Sequence, residues 1–354
     1  MTDVFDNILR SNETIFLNDV ALSYDFVPRE VPYRENEHHY IATCIKPLFY
    51  NRNGKNLFIY GSPGIGKTLA VKSVLRELEE QTDDILKFYI NCWKHNTTYK
   101  VIIEICNLIN YRFLGEKSTD ELINNIKPIL NKKSVVICLD EVDKLENDDI
   151  LYFILEDLYK KTLLLITNER LWLDDLDNRI RSRLYAETIN FKEYNYEETF
   201  DILKKRCEYA FYPNVISKEL IEEISKKASE IKDIRSGIYL LKESGDIAES
   251  RASKKILIED VKIALEKLKD FQNKNSSNLS NEKNDILELI KGNSGKTSTD
   301  LFNVYNKDIS YRTFRRKLEE LEKSKLITVD EKSIGAKGKA TYVYFGTIKN
   351  LNEF

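Results

Sequence analysis

No apolar run in this chain approaches the length that crosses a membrane; the longest, SVVICL and TLLLI, are strand-length. The opening MTDVFDNILRSNET lacks the basic region and apolar stretch of a secretory signal, so a cytoplasmic address is expected. The five cysteines (Cys44, Cys92, Cys106, Cys138 and Cys207) are odd in number, scattered and never in a C-x-x-C pair. That argues against a disulfide framework or a zinc site and leaves them as reduced core residues. His38 and His39 stand in a helical stretch with no partner at metal spacing, and Trp93 and Trp172 are expected to pack rather than stack on a ligand. No internal repeat occurs. What remains, 354 residues at 42% hydrophobic and 32% charged, is too polar for a membrane protein, too apolar for disorder, and long enough for two or three domains.

Net charge is small, −3, but unevenly placed. Residues 281–354 carry 14 Lys/Arg against 11 Asp/Glu, a balance of +3 that leaves −6 for the rest. The C-terminal part is therefore the expected place for a polyanion.

Periodicity divides the chain. Over residues 1–195 short β-rich runs (LFIY, KFYIN, SVVICLD, TLLLITN) alternate with amphipathic stretches, as in a parallel sheet covered by helices on both faces. Over residues 196–271 the pattern is helical throughout. The polar Asn/Ser-rich stretch at 272–284 predicts a linker, and residues 285–354 a separate small domain.

Two stretches look like phosphate loops. In LFIYGSPGIGKTLAVKSVL an apolar strand runs into GSPGIGKT and straight into a helical pattern, the context that G-x-x-x-x-G-K-[ST] requires. Gly61, Gly64 and Gly66 let backbone N–H groups turn inward around phosphates, with Ile65 and Leu69 beside them. Lys67 reaches the β and γ oxygens, and Thr68 offers a hydroxyl to Mg²⁺. The later GNSGKT has two residues between its glycines instead of four and follows a helical pattern. It predicts a helix-to-helix turn, with Gly292 as a stop and Thr297 or Ser298 as the next N-cap.

The first loop requires partners downstream. SVVICLDE is a buried strand ending in two carboxylates: Asp140 to hold Mg²⁺ through its water shell, Glu141 to orient and deprotonate an attacking water. TLLLITN ends in Asn168, placed to hydrogen-bond the γ-phosphate or that water.

In this order and spacing GSPGIGKT, LDEVDKL and LLLITNE resemble the Walker A, Walker B and sensor 1 motifs of AAA+ ATPases. With VPREVPYRENEH upstream, YINCWKHNTTYKVI after the second strand and LDNRIRSRL after sensor 1, the chain resembles the archaeal origin-recognition and cell-division-cycle family of DNA replication initiators. The resemblance implies an α/β AAA+ P-loop core, an all-helical lid and a C-terminal winged helix, with ATP or ADP and Mg²⁺ as cofactors. It implies an arginine finger at Arg179 or Arg183, nucleotide contacts from Tyr194 and Arg206, and a sensor 2 arginine at Arg235. A helical insertion within 110–125 would be a further DNA contact. Also implied are slow hydrolysis acting as a switch, origin duplex and the minichromosome maintenance replicative helicase as partners, and assembly with itself or paralogous initiators on DNA.

The C-terminal residues agree with a winged helix. NDILELIK, STDLFNVYN and SYRTFRRKLEELEKSK are three helical patterns followed by two β-rich runs around GAKGK. Tyr311, Phe314, Leu318 and Leu321 recur at core spacing, turning Arg312, Thr313, Arg315 and Arg316 towards a major groove, with Lys337 and Lys339 at the tip. Two other readings stay open: a clamp-loader-like or protein-remodelling ATPase, and an ATP-responsive transcriptional regulator.

Overall fold

Five strands, β1 (Leu57–Tyr60), β2 (Ile85–Asn91), β3 (Ser134–Asp140), β4 (Lys161–Thr167) and β5 (Glu187–Asn190), line up in the order β2-β3-β4-β1-β5, every pair parallel. This computed structural model describes residues 14–112, 115, 117–305, 309–323, 326–333 and 339–345. The strands read as unbroken apolar runs because both faces are covered, and successive side chains supply opposite layers. Val135, Ile137, Leu139, Leu163 and Leu165 enter one core, while Val136, Cys138, Leu164 and Ile166 enter the other.

Helices α1 (Glu35–Ile45) and α2 (Lys67–Gln81) close the second face through Ile41, Ile45, Val71 and Leu75. Helices α3 (Thr98–Leu108), α4 (Thr119–Leu130), α5 (Asp149–Asp157) and α6 (Asn178–Leu184) close the first. Helix α4 begins at a capping box in which Ser118 and Glu121 satisfy each other's backbone N–H groups. Strand β1 lies between β4 and β5, yet the chain leaves it through α2 for the far edge at β2. A crevice therefore opens beyond the carboxyl ends of β1, β3 and β4.

The same unit, Met1–Leu265, contains the helices α7 (Tyr196–Ala210), α8 (Lys218–Ile231) and α9 (Ile234–Ser250) and the start of α10 (Ile258–Gly292). Helix α7 also opens on a capping box, Asn195 with Glu198. Phe16 bridges to Phe211 beneath these helices, the ring centroids 5.1 Å apart.

The second unit, Glu266–Phe354, holds the end of α10, then β6 (Lys296–Thr297), α11 (Ser298–Tyr305), α12 (Tyr311–Lys323), β7 (Ile327–Ser333) and β8 (Lys339–Phe345). Its sheet is antiparallel in the order β6-β8-β7. Ile286, Ile290, Leu301, Phe314, Leu318, Leu321 and Val343 form its core. Three helices followed by two strands match the order of patterns read from the sequence over residues 285–354.

Three expectations are corrected, for GNSGKT, Trp93 and Tyr311, and one gains detail: the backbone over 272–284, read as a linker, is helical within the unbroken α10. No Pro or Gly lies between Phe271 and Lys291, and Asn and Ser cost a helix only about 0.7 kcal/mol each at most. GNSGKT is more than a turn: Lys296 and Thr297 pair with Val343 and Tyr342, and the Thr297 hydroxyl accepts from the Asp300 N–H as the cap of α11. Trp93 is 67% exposed beneath the Lys144 ammonium, whereas Trp172 is buried as expected. Tyr311 stands at the core's edge, 36% exposed, its hydroxyl 2.8 Å from Ser298 Oγ. All five cysteines are buried and unpaired. Among the described residues, no helix is long and apolar enough to cross a membrane.

Candidate functional site

Gly61 to Gly66 carry the chain from β1 into α2. Gly64 (φ +75°) and Gly66 (φ +89°) hold left-handed conformations that side chains resist, and neither has room for one. A Cβ on Gly64 would fall 1.9 Å from Asp233 Oδ1, and one on Gly66 2.9 Å from the Tyr194 hydroxyl. The loop thus lies directly against α9's N-terminus and the chain entering α7.

Lys67 follows, buried, donating to the carbonyls of Gly61 and Ser62 and to Asn168 Oδ1, each at 2.8 Å. Burial lowers its pKa to about 8, with Asp140's charge acting the other way. Thr68 Oγ1 donates to Asp140 Oδ2 at 2.7 Å, and the Tyr89 hydroxyl donates to the same oxygen at 2.6 Å. Asp140 Oδ1 accepts the Glu141 N–H at 2.9 Å. A hydroxyl and a carboxylate side by side form an all-oxygen donor set, which fits a hard cation that keeps most of its waters. Among the described residues, no cluster of three or more His, Cys, Asp and Glu offers a dedicated metal cage.

Glu141 adopts φ +53° where β3 ends. Burial and then the charges of Asp140 and Asp143 raise its pKa, making it a better base than a free carboxylate. Asp143 itself is buried and engaged by the Thr167 hydroxyl at 2.7 Å and by Lys144.

Together these residues line a cleft of ≈ 480 Å³, which Arg235 closes from α9. That volume suits a nucleotide. Arg235 is paired with Asp233 through Nη2 and Oδ2 at 2.9 Å. A small, mainly apolar recess beside Gly66 and Leu69 is lined by Val31, Pro32, Ile202, Ile238 and Tyr194. Ile65 is buried under the loop.

Arg206 lines both spaces, but its guanidinium is spent on the carbonyls of Ala21 (2.9 Å) and Phe26 (3.2 Å), tying residues 21–26 to α7. Burial lowers its pKa to about 10. Tyr194 packs under the Arg34 guanidinium, 4.0 Å from the ring centroid, and Arg34 donates to Ile65 O (3.0 Å) and Lys192 O (2.6 Å).

Sequence reasoning missed Arg34, Asp233 and Tyr89. Arg34 and Asp233 lie outside the loop and carboxylate motifs. Tyr89 acquires its partner only from strand register: it faces Cys138, with Asp140 two residues further along the same face.

On α6, Arg183 is paired with Glu156 and lies over the Tyr152 ring. Arg179 is exposed, and its guanidinium has no ion-pair partner among the described residues. On α12, Arg312, Arg315 and Arg316 are exposed around buried Phe314, whereas Thr313 is half-buried and bonded to Ser310 Oγ at 2.9 Å in the helix cap. Lys337 lies outside the described residues, as does the side chain of Lys339. Arg112 and Lys117 in the 110–125 segment flank Tyr111, and Lys117 Nζ is 3.3 Å from the Tyr111 hydroxyl.

Comparison with known proteins places two profiles on the chain: an AAA domain over residues 51–171 and a Cdc6 AAA+ ATPase-type lid domain over residues 200–266. The ORC1-type DNA replication protein 1 of Sulfurisphaera tokodaii is 34% identical over 276 residues, covering 74% of this chain and 69% of the relative. The ORC1-type DNA replication protein 2 of Archaeoglobus fulgidus is 31% identical over 96% of this chain and 92% of its own. Among solved structures, the Aeropyrum pernix ORC1 protein in complex with DNA superposes with a TM-score of 0.67 at 25% identity, covering 95% of each chain.

Proposed function

The chain belongs to the family of ORC1-type DNA replication proteins, AAA+ initiators with a nucleotide-binding core and a Cdc6-type lid, and on that premise we propose that it is an ATP-dependent initiator that binds origin duplex. The observation that carries this reading is the cleft in which Lys67, Asp140 and Asn168 of the core meet Arg235 of the helical part. A nucleotide held there touches both parts of the first unit, so its γ-phosphate sets how the lid lies on the core.

In this account residues 1–195 are the ATPase core, 196–271 the lid and 285–354 the DNA-binding part, with 272–284 a helical connection. Lys67 binds the β and γ oxygens, Asn168 orients the attacking water, and Glu141 receives its proton. Thr68 and Asp140 hold Mg²⁺, which would neutralise charge on the phosphates. Arg235 senses the γ-phosphate by leaving Asp233. Arg179, the arginine of α6 with no ion-pair partner among the described residues, is the finger offered to a neighbouring copy or paralogue on DNA. Hydrolysis is slow and serves as a switch.

On α12, Arg312, Arg315 and Arg316 reach duplex DNA, with Lys337 and Lys339 at the wing; Thr313 supports the helix cap. The partner recruited is the replicative minichromosome maintenance helicase. The test is retention of that helicase on bead-bound origin duplex by the intact protein and by Lys67→Ala. The expected result is ATP-dependent retention that the substitution abolishes. Retention equal on a scrambled duplex, or ATP turnover driven by a protein substrate without DNA, would favour a protein-remodelling ATPase instead.

A further inference from the structure

Tyr89 carries no sequence motif, yet it is bonded to the carboxylate at the centre of the cleft. Parallel pairing of β2 with β3 sets Tyr89 opposite Cys138, and the pleat brings its hydroxyl diagonally to Asp140. Its O–H donates to Asp140 Oδ2 at 2.6 Å, the oxygen that also accepts from Thr68 at 2.7 Å. The other carboxylate oxygen takes the Glu141 N–H at 2.9 Å. Lys72, one turn beyond Thr68 on α2, lies 4.5 Å from the centroid of the Tyr89 ring and holds it in place. Three donors from three directions thus leave Asp140 a single orientation, and Tyr89 is the one that comes from a neighbouring strand.

We propose that Tyr89 is a positioning residue for the divalent cation: its hydroxyl fixes the Asp140 carboxylate beside the Thr68 hydroxyl, so that the oxygen pair is formed before the cation arrives. This rests on the nucleotide reading above and extends it to a residue outside the loop and carboxylate motifs. Groups that orient a metal-binding carboxylate typically contribute roughly 10- to 100-fold to cation affinity.

The experiment measures the affinity of a slowly hydrolysed ATP analogue for the full chain and for Tyr89→Phe, each in excess Mg²⁺ and in EDTA, with thermal melts in EDTA. The phenylalanine keeps the ring under Lys72 and removes only the hydroxyl. The expected result is unchanged binding in EDTA and a gain from Mg²⁺ smaller than the full chain's by roughly tenfold or more. A direct Mn²⁺ titration in the presence of the analogue should show the same loss. An undiminished Mg²⁺ gain would overturn the proposal, and so would an equal loss in both buffers, which would mark Tyr89 as merely structural. No binding by the unaltered chain in either buffer would overturn the nucleotide reading itself, and Tyr89's role with it.

Discussion

Lys67 Nζ donates to Asn168 Oδ1 at 2.8 Å, joining the first turn of α2 to the end of β4. With Gly61 O and Ser62 O as its other acceptors, the ammonium is held by three neutral oxygens, which a phosphate would displace. Asn168 would then be free to turn to the attacking water.

Asn168→Ala should therefore separate binding from chemistry. Loss of one transition-state hydrogen bond lowers turnover by roughly 10²-fold in comparable sites, whereas ATP affinity, set mainly by the loop and Lys67, should change only a few-fold. Single-turnover hydrolysis beside equilibrium binding checks this; a parallel fall in both would remove Asn168 from the reacting end.

The Lys67 pKa of about 8 gives nucleotide binding a pH dependence. Below pH 8 the ammonium is charged before ATP arrives. Above it, binding must take up a proton, so affinity should fall with a limiting slope of roughly tenfold per pH unit. Calorimetry at pH 9 in buffers of different ionisation enthalpy should report that uptake, and Lys67→Arg should abolish it. For stability the sign is opposite. The unfolded lysine titrates near 10.5 and holds its proton more tightly, so burial of Lys67 costs stability at neutral pH, a cost that fades between pH 8 and 10.5.

Arg179→Ala should leave ATP binding by the isolated chain unchanged and lower hydrolysis only where copies assemble on DNA. The drop expected for a finger supplied in trans is about 10³-fold or more. Arg183→Ala, which breaks the pair with Glu156, should instead lower the melting temperature. The reverse pattern would exchange the two roles.

Gly245 lies inside α9, where alanine would ordinarily stabilise by about 0.5–1 kcal/mol. Here an added Cβ would meet Phe16 Cζ at 2.4 Å and Phe211 Cε1 at 3.0 Å, both in buried rings. Gly245→Ala should therefore destabilise the lid by about 1–3 kcal/mol, seen as a lower denaturation midpoint at unchanged slope. A rise in the midpoint would mean that Phe16 is not seated there.

The residues legible from sequence are those whose chemistry is tied to local spacing. GSPGIGKT between a strand and a helix could be read because turn, strand and helix are adjacent in the chain. Asp140 and Asn168 followed because each ends a buried strand. Tyr89, Arg34 and Asp233 could not be read: their partners are set by β2–β3 register, by Lys192 O and Ile65 O across the loop, and by the seating of α9 on Gly64. Arg206, read as a nucleotide contact from a resemblance, lines the cleft while its hydrogen bonds go to Ala21 and Phe26. The helical state of 272–284 was hidden by its polar composition, although the absence of Pro and Gly lets the helices on either side propagate through it.

The most direct test of the whole account is the affinity of the intact chain, with ATP and Mg²⁺, for duplex from the host's own replication origin and for a scrambled duplex across several salt concentrations. The comparison protein carries Arg315→Ala with Arg316→Ala. The account expects tighter binding to origin duplex, and a salt slope that falls by about one unit for each phosphate contact the substitutions remove. Equal, weak binding to both duplexes, or a slope unchanged by the double substitution, would contradict it.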